Sequence, residues 1–244
     1  LRRATVPLRA LQVGRRRPLC GRILGRRALV CEVPVLWEDP EVLILDKPAG
    51  LPVHRGPRGG ASLEDALPAL QGRKRHLPQP AHRLDTDTAG CLALGRTKPA
   101  LAALGALFAE GRAEKAYWAV LRGELPADRG EIAAPLAKTS TREEGWRMVV
   151  RADGQPARTL WRVMGRAPGL TAVELSPRTG RTHQLRAHMA HLGAPILGDA
   201  RYGGGAGALH LLARRLVLPL DPVREATAPI PSHMREALAR CGVR

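Results

Sequence analysis

Residues 159–193 read TLWRVMGRAPGLTAVELSPRTGRTHQLRAHMAHLG, and they decide the fold class. Thr159 to Met164 and Thr171 to Leu175 are two apolar runs, and Ala167-Pro168-Gly169 between them is a turn, so the segment reads as a strand pair. The period then changes. From Thr182 to Leu192, Leu185, Met189 and Leu192 recur at helical spacing, and Gly193 is a natural stop. Paired strands followed by a single helix do not alternate as a doubly wound sheet does. They predict an α+β fold.

The same mixture extends in both directions. Upstream, Val42 to Leu45 is a short apolar run and reads as a buried strand, ended by the turn Lys47-Pro48-Ala49-Gly50. Ser62 with Asp65 predicts a helix start running to about Leu70. Residues 72–81 are basic and contain prolines, which predicts a loop. Cys91 to Leu94 reads as a strand. Thr97 to Glu110 reads as a helix capped by Thr97 and closed by Gly111. Lys115 to Leu121 alternates as a strand, and the turn signals of residues 126–157 predict short hairpins. Downstream, Leu209 to Leu218 is a late strand and Ser232 starts a final helix. The sequence divides into a basic N-terminal extension, residues 1–33, and one globular domain, residues 34–244.

Charge narrows the function. The 39 Lys and Arg outnumber the 22 Asp and Glu, a net charge of +17 that attracts polyanions, and nucleic acid is the commonest of these. Most of the cations are arginine, which offers a planar fork for phosphate and a face for stacking on bases. A membrane surface is disfavoured: no basic helix with an apolar face stands out, and no apolar run approaches the roughly 20 residues of a membrane span. Cys20, Cys31, Cys91 and Cys241 form no Cys-x-x-Cys pair, so they are expected to be reduced thiols in the cytoplasm rather than disulfides or zinc ligands.

Three segments carry chemistry. The first is His82-Arg83-Leu84-Asp85-Thr86-Asp87-Thr88-Ala89-Gly90. The second is Lys115-Ala116-Tyr117. The third is Arg178-Thr179-Gly180-Arg181-Thr182-His183-Gln184-Leu185-Arg186, continuing to Gly198-Asp199-Ala200-Arg201-Tyr202-Gly203. Each has a bland reading by itself. Asp85 reads as a turn carboxylate, Tyr117 as a half-buried strand aromatic, Arg181 and Arg186 as a solvated helix face. His183, His188 and His191 have no zinc spacing and no accompanying glutamate, so no metal is expected.

Together, in this order, the segments resemble the RluA family of pseudouridine synthases, which modify ribosomal and transfer RNA. The resemblance spans roughly residues 35–230 and includes Glu38-Asp39, Val42 through Leu51, Gly193, Pro195, Gly198-Asp199 and Tyr202-Gly203. It implies that family's catalytic fold: a central mixed, mostly antiparallel sheet flanked by helices, with an active-site cleft. It implies an isomerase that detaches uracil from ribose at nitrogen 1, turns it and rejoins it through carbon 5, with no cofactor. Asp85 matches the catalytic aspartate, Arg186 its arginine partner and Tyr117 the active-site tyrosine. Arg83 matches an arginine that takes the place of the flipped nucleotide, and Leu185 an apolar residue beside the base. His82, Lys115, Arg181 and His183 join them as expected RNA contacts.

The residue types suit that chemistry. A carboxylate attacks the base or the sugar, or acts through its charge, and a neighbouring guanidinium favours its ionised form. A base inside a helix must first be flipped out. Two departures from the family pattern stand out. Ala89 replaces a usual Ser, and His210 lies earlier than the usual late His. Residues 1–33 are too short for the separate N-terminal RNA-binding domain of many relatives. RNA selection is therefore expected to rest on the catalytic face, the arm and the basic loop at 72–76. The expected partner is structured RNA, bound by a monomer. The competing reading is a non-catalytic RNA-binding or ribosome assembly factor on the same fold. A third, a hydrolase using Asp85 and a His, needs a metal or second carboxylate.

Overall fold

The computed structural model describes residues 33–56, 59–142 and 145–244. The extension expected over residues 1–33 lies outside them except for Val33. Strands β1 (Val35–Glu38), β2 (Val42–Lys47), β3 (Gln79–Pro80) and β4 (Ala89–Gly95) come first, with the single-turn helix α1 (Leu67–Leu70) between β2 and β3. Helix α2 (Lys98–Ala109) leads to β5 (Glu114–Arg122), β6 (Arg129–Ala133), β7 (Leu136–Thr141) and β8 (Gly145–Val150). Then follow β9 (Arg158–Ala167), β10 (Leu170–Pro177), α3 (Gln184–His191), β11 (Leu211–Leu218), β12 (Arg224–Thr227) and α4 (Ser232–Arg240).

One ten-stranded sheet organises the molecule, in the order β1-β2-β4-β11-β5-β10-β9-β6, with β12 on β11 and β3 on β4. Only β11 and β4 run parallel, so the sheet is mixed and mostly antiparallel, as expected. Period-two alternation divides its side chains between two faces. Val42, Ile44, Cys91, Ala93, Val120 and Ala172 face one side, where α2 supplies Leu104 and Leu107 and α4 supplies Met234 and Leu238. The opposite side carries two clusters. Leu43, Leu45, Leu92 and Leu94 gather Leu63, Leu67 and Leu84. Ala119, Leu121, Val173 and Leu175 gather Leu185 and Met189 of α3. Tyr117 touches both, so the seam between the two clusters passes over the middle of the sheet. The segments that carry chemistry meet at that seam.

Most expected elements are present, and the differences have local causes. The Thr97 cap holds, its hydroxyl accepting the Ala100 N–H at 3.2 Å. The helix expected from Ser62 to Leu70 is broken into a 3-10 turn, Leu63–Asp65, and α1. Pro68 sits in the first turn of α1, where its missing N–H is tolerated, and it cannot continue the earlier turn. Of the hairpins expected over 126–157, β7 and β8 form one, as a separate two-stranded sheet, whereas β6 joins the main sheet beside β9. Helix α3 starts at Gln184, two residues later than expected. His183 before it is left-handed, with φ 51°, and that conformation ends a turn rather than opening a helix.

Among the described residues no helix is long and apolar enough to cross a membrane. Cys91 and Cys241 are buried free thiols.

Candidate active site

Asp85 sits on the loop that enters β4, and three features fix that loop. Gly90 lies at φ 109° beside Ala213 of β11. A Cβ there would stand 2.3 Å from the Ala213 carbonyl oxygen, so only glycine lets β4 enter beside β11. His82 Nε2 accepts the Ala93 N–H at 3.0 Å, and its ring packs on Phe108 at 4.2 Å. Burial and nearby Lys115 push the His82 imidazole down to about 3, so it is a neutral acceptor. Lys47 closes the loop from beneath. It is fully buried on β2, and its Nζ donates to the carbonyls of Pro48, Leu51 and Thr86 at 2.9, 2.8 and 2.9 Å. Thr86 is the residue after Asp85. Burial pushes the Lys47 ammonium down to about 8 against the pull of Asp87 and Asp85.

Opposite the loop stands the first turn of α3. Its geometry is built on Gln184, whose carbonyl accepts the Thr179 hydroxyl at 2.6 Å and the Arg181 N–H at 3.0 Å. The Gln184 amide donates to the Arg158 carbonyl and to Thr159 Oγ1. His188, one turn on, bonds Thr159 Oγ1 at 2.9 Å and the Ala134 carbonyl at 3.0 Å. These buried polar groups tie α3 to β9 and leave Arg186 facing the loop.

Arg186 is held by Asp199. Its Nε and Nη2 reach the two carboxylate oxygens at 2.7 and 2.8 Å, a bidentate pair. Asp199 also accepts the N–H groups of Arg201 and Tyr202 at 3.1 and 3.2 Å. The turn that presents it needs Gly198, at φ 78°, where a Cβ would stand 2.0 Å from the Ala208 carbonyl oxygen. The third nitrogen of Arg186, Nη1, points at Asp85, 3.7 Å from Oδ2. That is an ion-pair distance and beyond hydrogen-bond length. Burial raises the Asp85 carboxyl above its ordinary value; Arg186, Arg83 and Lys47 pull it down without reversing the shift, and Asp199 adds to it. The expectation that Arg186 favours the charged form holds for its own contribution, but burial outweighs it.

His183 completes this side. Its Nε2 lies 3.8 Å from Asp85 Oδ2. Burial, Arg186 and Arg201 push the imidazole down to about 3, so the contact is a dipole on a carboxylate rather than an ion pair. The Tyr202 hydroxyl accepts the Met148 N–H at 3.0 Å and shares a hydrogen bond with His183 Nδ1 at 3.1 Å. The Tyr202 ring also carries the Arg186 guanidinium, 5.2 Å from its centroid.

Between loop and helix lies a cleft of about 340 Å³, and all nine residues singled out in the sequence line it. Tyr117 rises from β5 on its floor and Leu185 packs on the wall. Lys115, Arg83 and Arg181 sit at the rim, where Arg181 Nε also donates to the Pro156 carbonyl at 3.1 Å. Burial raises the Tyr117 phenol well above its ordinary range. The Ala89 departure is turned away from this cleft. Its side chain is buried on the opposite face of the sheet, with α2 and α4. The basic loop at 72–76 is also remote. It leads into β3, which pairs with Gly95 and Leu94 at the far end of β4, about 20 Å along the strand from Ala89.

Sequence reasoning assigned no task to Lys47, Gln184, Asp199 or Tyr202. A lysine ending an apolar strand just before Pro-Ala-Gly was the available signal for the first. Asp199 behind Gly198 was the signal for the third.

A half-buried carboxylate between an arginine, a phenol and a neutral imidazole, in a cleft ringed by cations, suits an enzyme that acts on nucleic acid. The profile of the RNA pseudouridylate synthase family matches residues 41–191. An uncharacterized RNA pseudouridine synthase of Zymomonas mobilis is 44% identical over 170 residues, covering 69% of this chain and 78% of that protein. Ribosomal large subunit pseudouridine synthase C of Escherichia coli is 35% identical over 219 residues, covering 85% of this chain and 68% of that protein. The solved structure of human RNA pseudouridylate synthase domain containing 4 superposes with a TM-score of 0.73 at 28% identity, covering 86% of this chain and 93% of the other. The chain belongs to the RNA pseudouridylate synthase family, in its RluA-type branch. It is an isomerase.

Proposed function

We propose that this protein converts a uridine of large-subunit ribosomal RNA to pseudouridine, with Asp85 as the nucleophile and the target base flipped into the cleft. Residues 34–244 form the catalytic domain in this reading. The ribosomal substrate rests on the named relatives, and the chemistry rests on the residues. The observation that carries it is the 3.7 Å gap between Asp85 and Arg186. Asp199 holds the guanidinium close enough to favour a carboxylate but too far to occupy its lone pairs.

The atoms balance within the substrate. The bond from ribose carbon 1′ to uracil nitrogen 1 breaks, and a bond from carbon 1′ to carbon 5 forms. A proton leaves carbon 5 and one is gained at nitrogen 1. The task of the chain is to bind, orient and exchange those protons. Burial keeps Asp85 more basic than a solvated aspartate and so a better nucleophile once ionised. Tyr117, held protonated by burial, offers the uracil a ring face and a donor hydroxyl. Leu185 packs beside the base. Arg83 enters the gap left in the RNA stack, offsetting part of the few kcal/mol of flipping, while Lys115 and Arg181 meet phosphates.

The test is a carbodiimide map of pseudouridine in ribosomal RNA from a deletion strain, complemented with wild type or Asp85→Asn. At least one large-subunit site is expected to vanish and to return with wild type only, while purified Asp85→Asn still binds RNA. Restoration by Asp85→Asn removes the nucleophile assignment. A map with no lost ribosomal site removes the ribosomal substrate.

A further inference from the structure

The molecule has seven aromatic residues of the Phe, Trp and Tyr types, and one of them is out of place. Trp161 is buried, and Trp37 and Trp118 are half-buried. Trp146 is 37% exposed. It stands on β8 of the β7–β8 hairpin, which forms a two-stranded sheet of its own and rests against α3. A large indole left in water on a two-stranded hairpin is not there to build the core.

Its neighbours indicate a use. One is His183, stacked on the indole with centroids 4.8 Å apart and planes at 24°. His183 Nε2 is 3.8 Å from Asp85, so a single imidazole separates Trp146 from the reaction centre. The others are cations. The Arg201 guanidinium lies 4.8 Å from the indole centroid and also donates to the Trp146 carbonyl. Lys138 Nζ lies 5.4 Å from the centroid. Among the described residues neither cation has a carboxylate partner.

We propose that Trp146 is a stacking platform for an unpaired nucleobase flanking the target uridine, with Lys138 and Arg201 contacting the phosphate attached to it. The inference rests on Asp85 marking where the target lies. An aromatic face beside a cationic groove is the arrangement by which proteins hold single-stranded nucleic acid without reading its sequence. The exchange is also favourable in charge. A base arriving on the ring displaces a cation, and the phosphate it brings is a stronger partner for that cation than the ring was. The platform serves a strand that has left its helix, and flipping the target leaves its neighbours partly unstacked.

The probe is a ten-nucleotide oligouridylate, titrated into the full chain while tryptophan fluorescence is followed. Quenching is expected in wild type and absent in Trp146→Phe, which should still bind within about twofold. Trp146→Ala should weaken binding about 10-fold, the effect of losing one base–aromatic stack. Lys138→Ala should reduce the slope of log affinity against log salt by about one. A duplex RNA of the same length should not quench. Equal quenching in Trp146→Phe, undiminished affinity in Trp146→Ala, or equal quenching by the duplex overturns the proposal. Since the probe is not the natural target, a failed ribosomal map and a failed stack give different results.

Discussion

Among the described residues three arginines are buried, Arg96, Arg186 and Arg224; the last two each face two carboxylates and are used in opposite ways. Arg224 on β12 is 4% exposed and Arg186 on α3 is 6% exposed. Arg224 reaches Asp39 and Glu41 at 2.8 Å each. Asp39 also accepts the N–H groups of Glu41 and Val42 at 2.7 Å each and the Trp37 indole at 3.2 Å. Burial raises the Asp39 carboxyl, but those hydrogen bonds more than reverse this and leave it below its ordinary value. Every lone pair is used, so the group is a staple between β12 and the β1–β2 turn. Arg186 spends its bidentate fork on Asp199 and leaves Asp85 at 3.7 Å. There the carboxyl ends above its ordinary value. The same two residue types make a structural pair when the hydrogen bonds are complete and a reactive one when they are withheld.

Asp199→Asn is the largest break in that comparison. An asparagine keeps the shape and one acceptor but loses the bidentate grip, so Arg186 is free to close on Asp85. The turnover number should fall about 100-fold, the scale of an ångström misplacement in a catalytic group. The sign of the pH effect is fixed. A nearer guanidinium lowers the Asp85 pKa, so the acid limb of the rate profile moves to lower pH. Single-turnover kinetics across pH reads both effects. An unshifted limb with reduced rate would mean that Asp199 supports the fold but does not set the gap.

The contrast between the arginines also marks how far the sequence was readable. Patterning gave β2, β4, β5, β9, β10, β11 and α2 because each buries a face along a contiguous run, and missed the short β1, β3 and β12. Chain-distant segments meeting at Asp85, Tyr117 and Arg186 were legible through motif order. The slack itself was not. It depends on Asp199, placed by a glycine whose only signal is a backbone angle, and on Lys47, whose three carbonyl partners belong to loops with no periodicity. His183 was legible as a polar residue, but its left-handed backbone was not, and its neutral state follows from burial and from Arg186 and Arg201. The place of the basic loop at 72–76 was illegible for a related reason. Charge is visible in a sequence, but which end of a strand it reaches is set by β3 pairing with β4.

Arg224→Met tests the saturated member. Removing it leaves half-buried Asp39 without its main partner, while Glu41, 57% exposed, returns to water. Breaking a half-buried pair, discounted for solvent screening, costs about 1–2 kcal/mol, measured by urea unfolding. Because the folded pKa of Asp39 is depressed, its contribution is present above the unfolded value and is lost as pH falls. The variant should therefore lose most stability at neutral pH and less under acid. Activity per folded molecule should be unchanged, since the pair lies on the face away from the cleft. A matching fall in turnover would show that the two arginines are not independent.

A third carboxylate extends the comparison to no arginine at all. Asp46, half-buried on β2, has no hydrogen bond to its carboxyl among the described residues, and burial pushes it up to about 6 from 3.8. Its folded pKa is raised, so between about pH 4 and 6 the folded state holds a proton that the unfolded state has released. Stability from this group is therefore lost as pH rises through that window, and above it the full penalty of a poorly solvated charge remains. Asp46→Asn removes the charge. At 1.36 kcal/mol per unit, discounted for the screening of a partly exposed group, it should stabilise the protein by about 1 kcal/mol at pH 7 and by little at pH 4. Urea unfolding at the two pH values separates the outcomes. A gain that is equal at both would come from shape and not from charge. Then an arginine would not be what distinguishes a tolerated carboxylate from a penalised one in this fold.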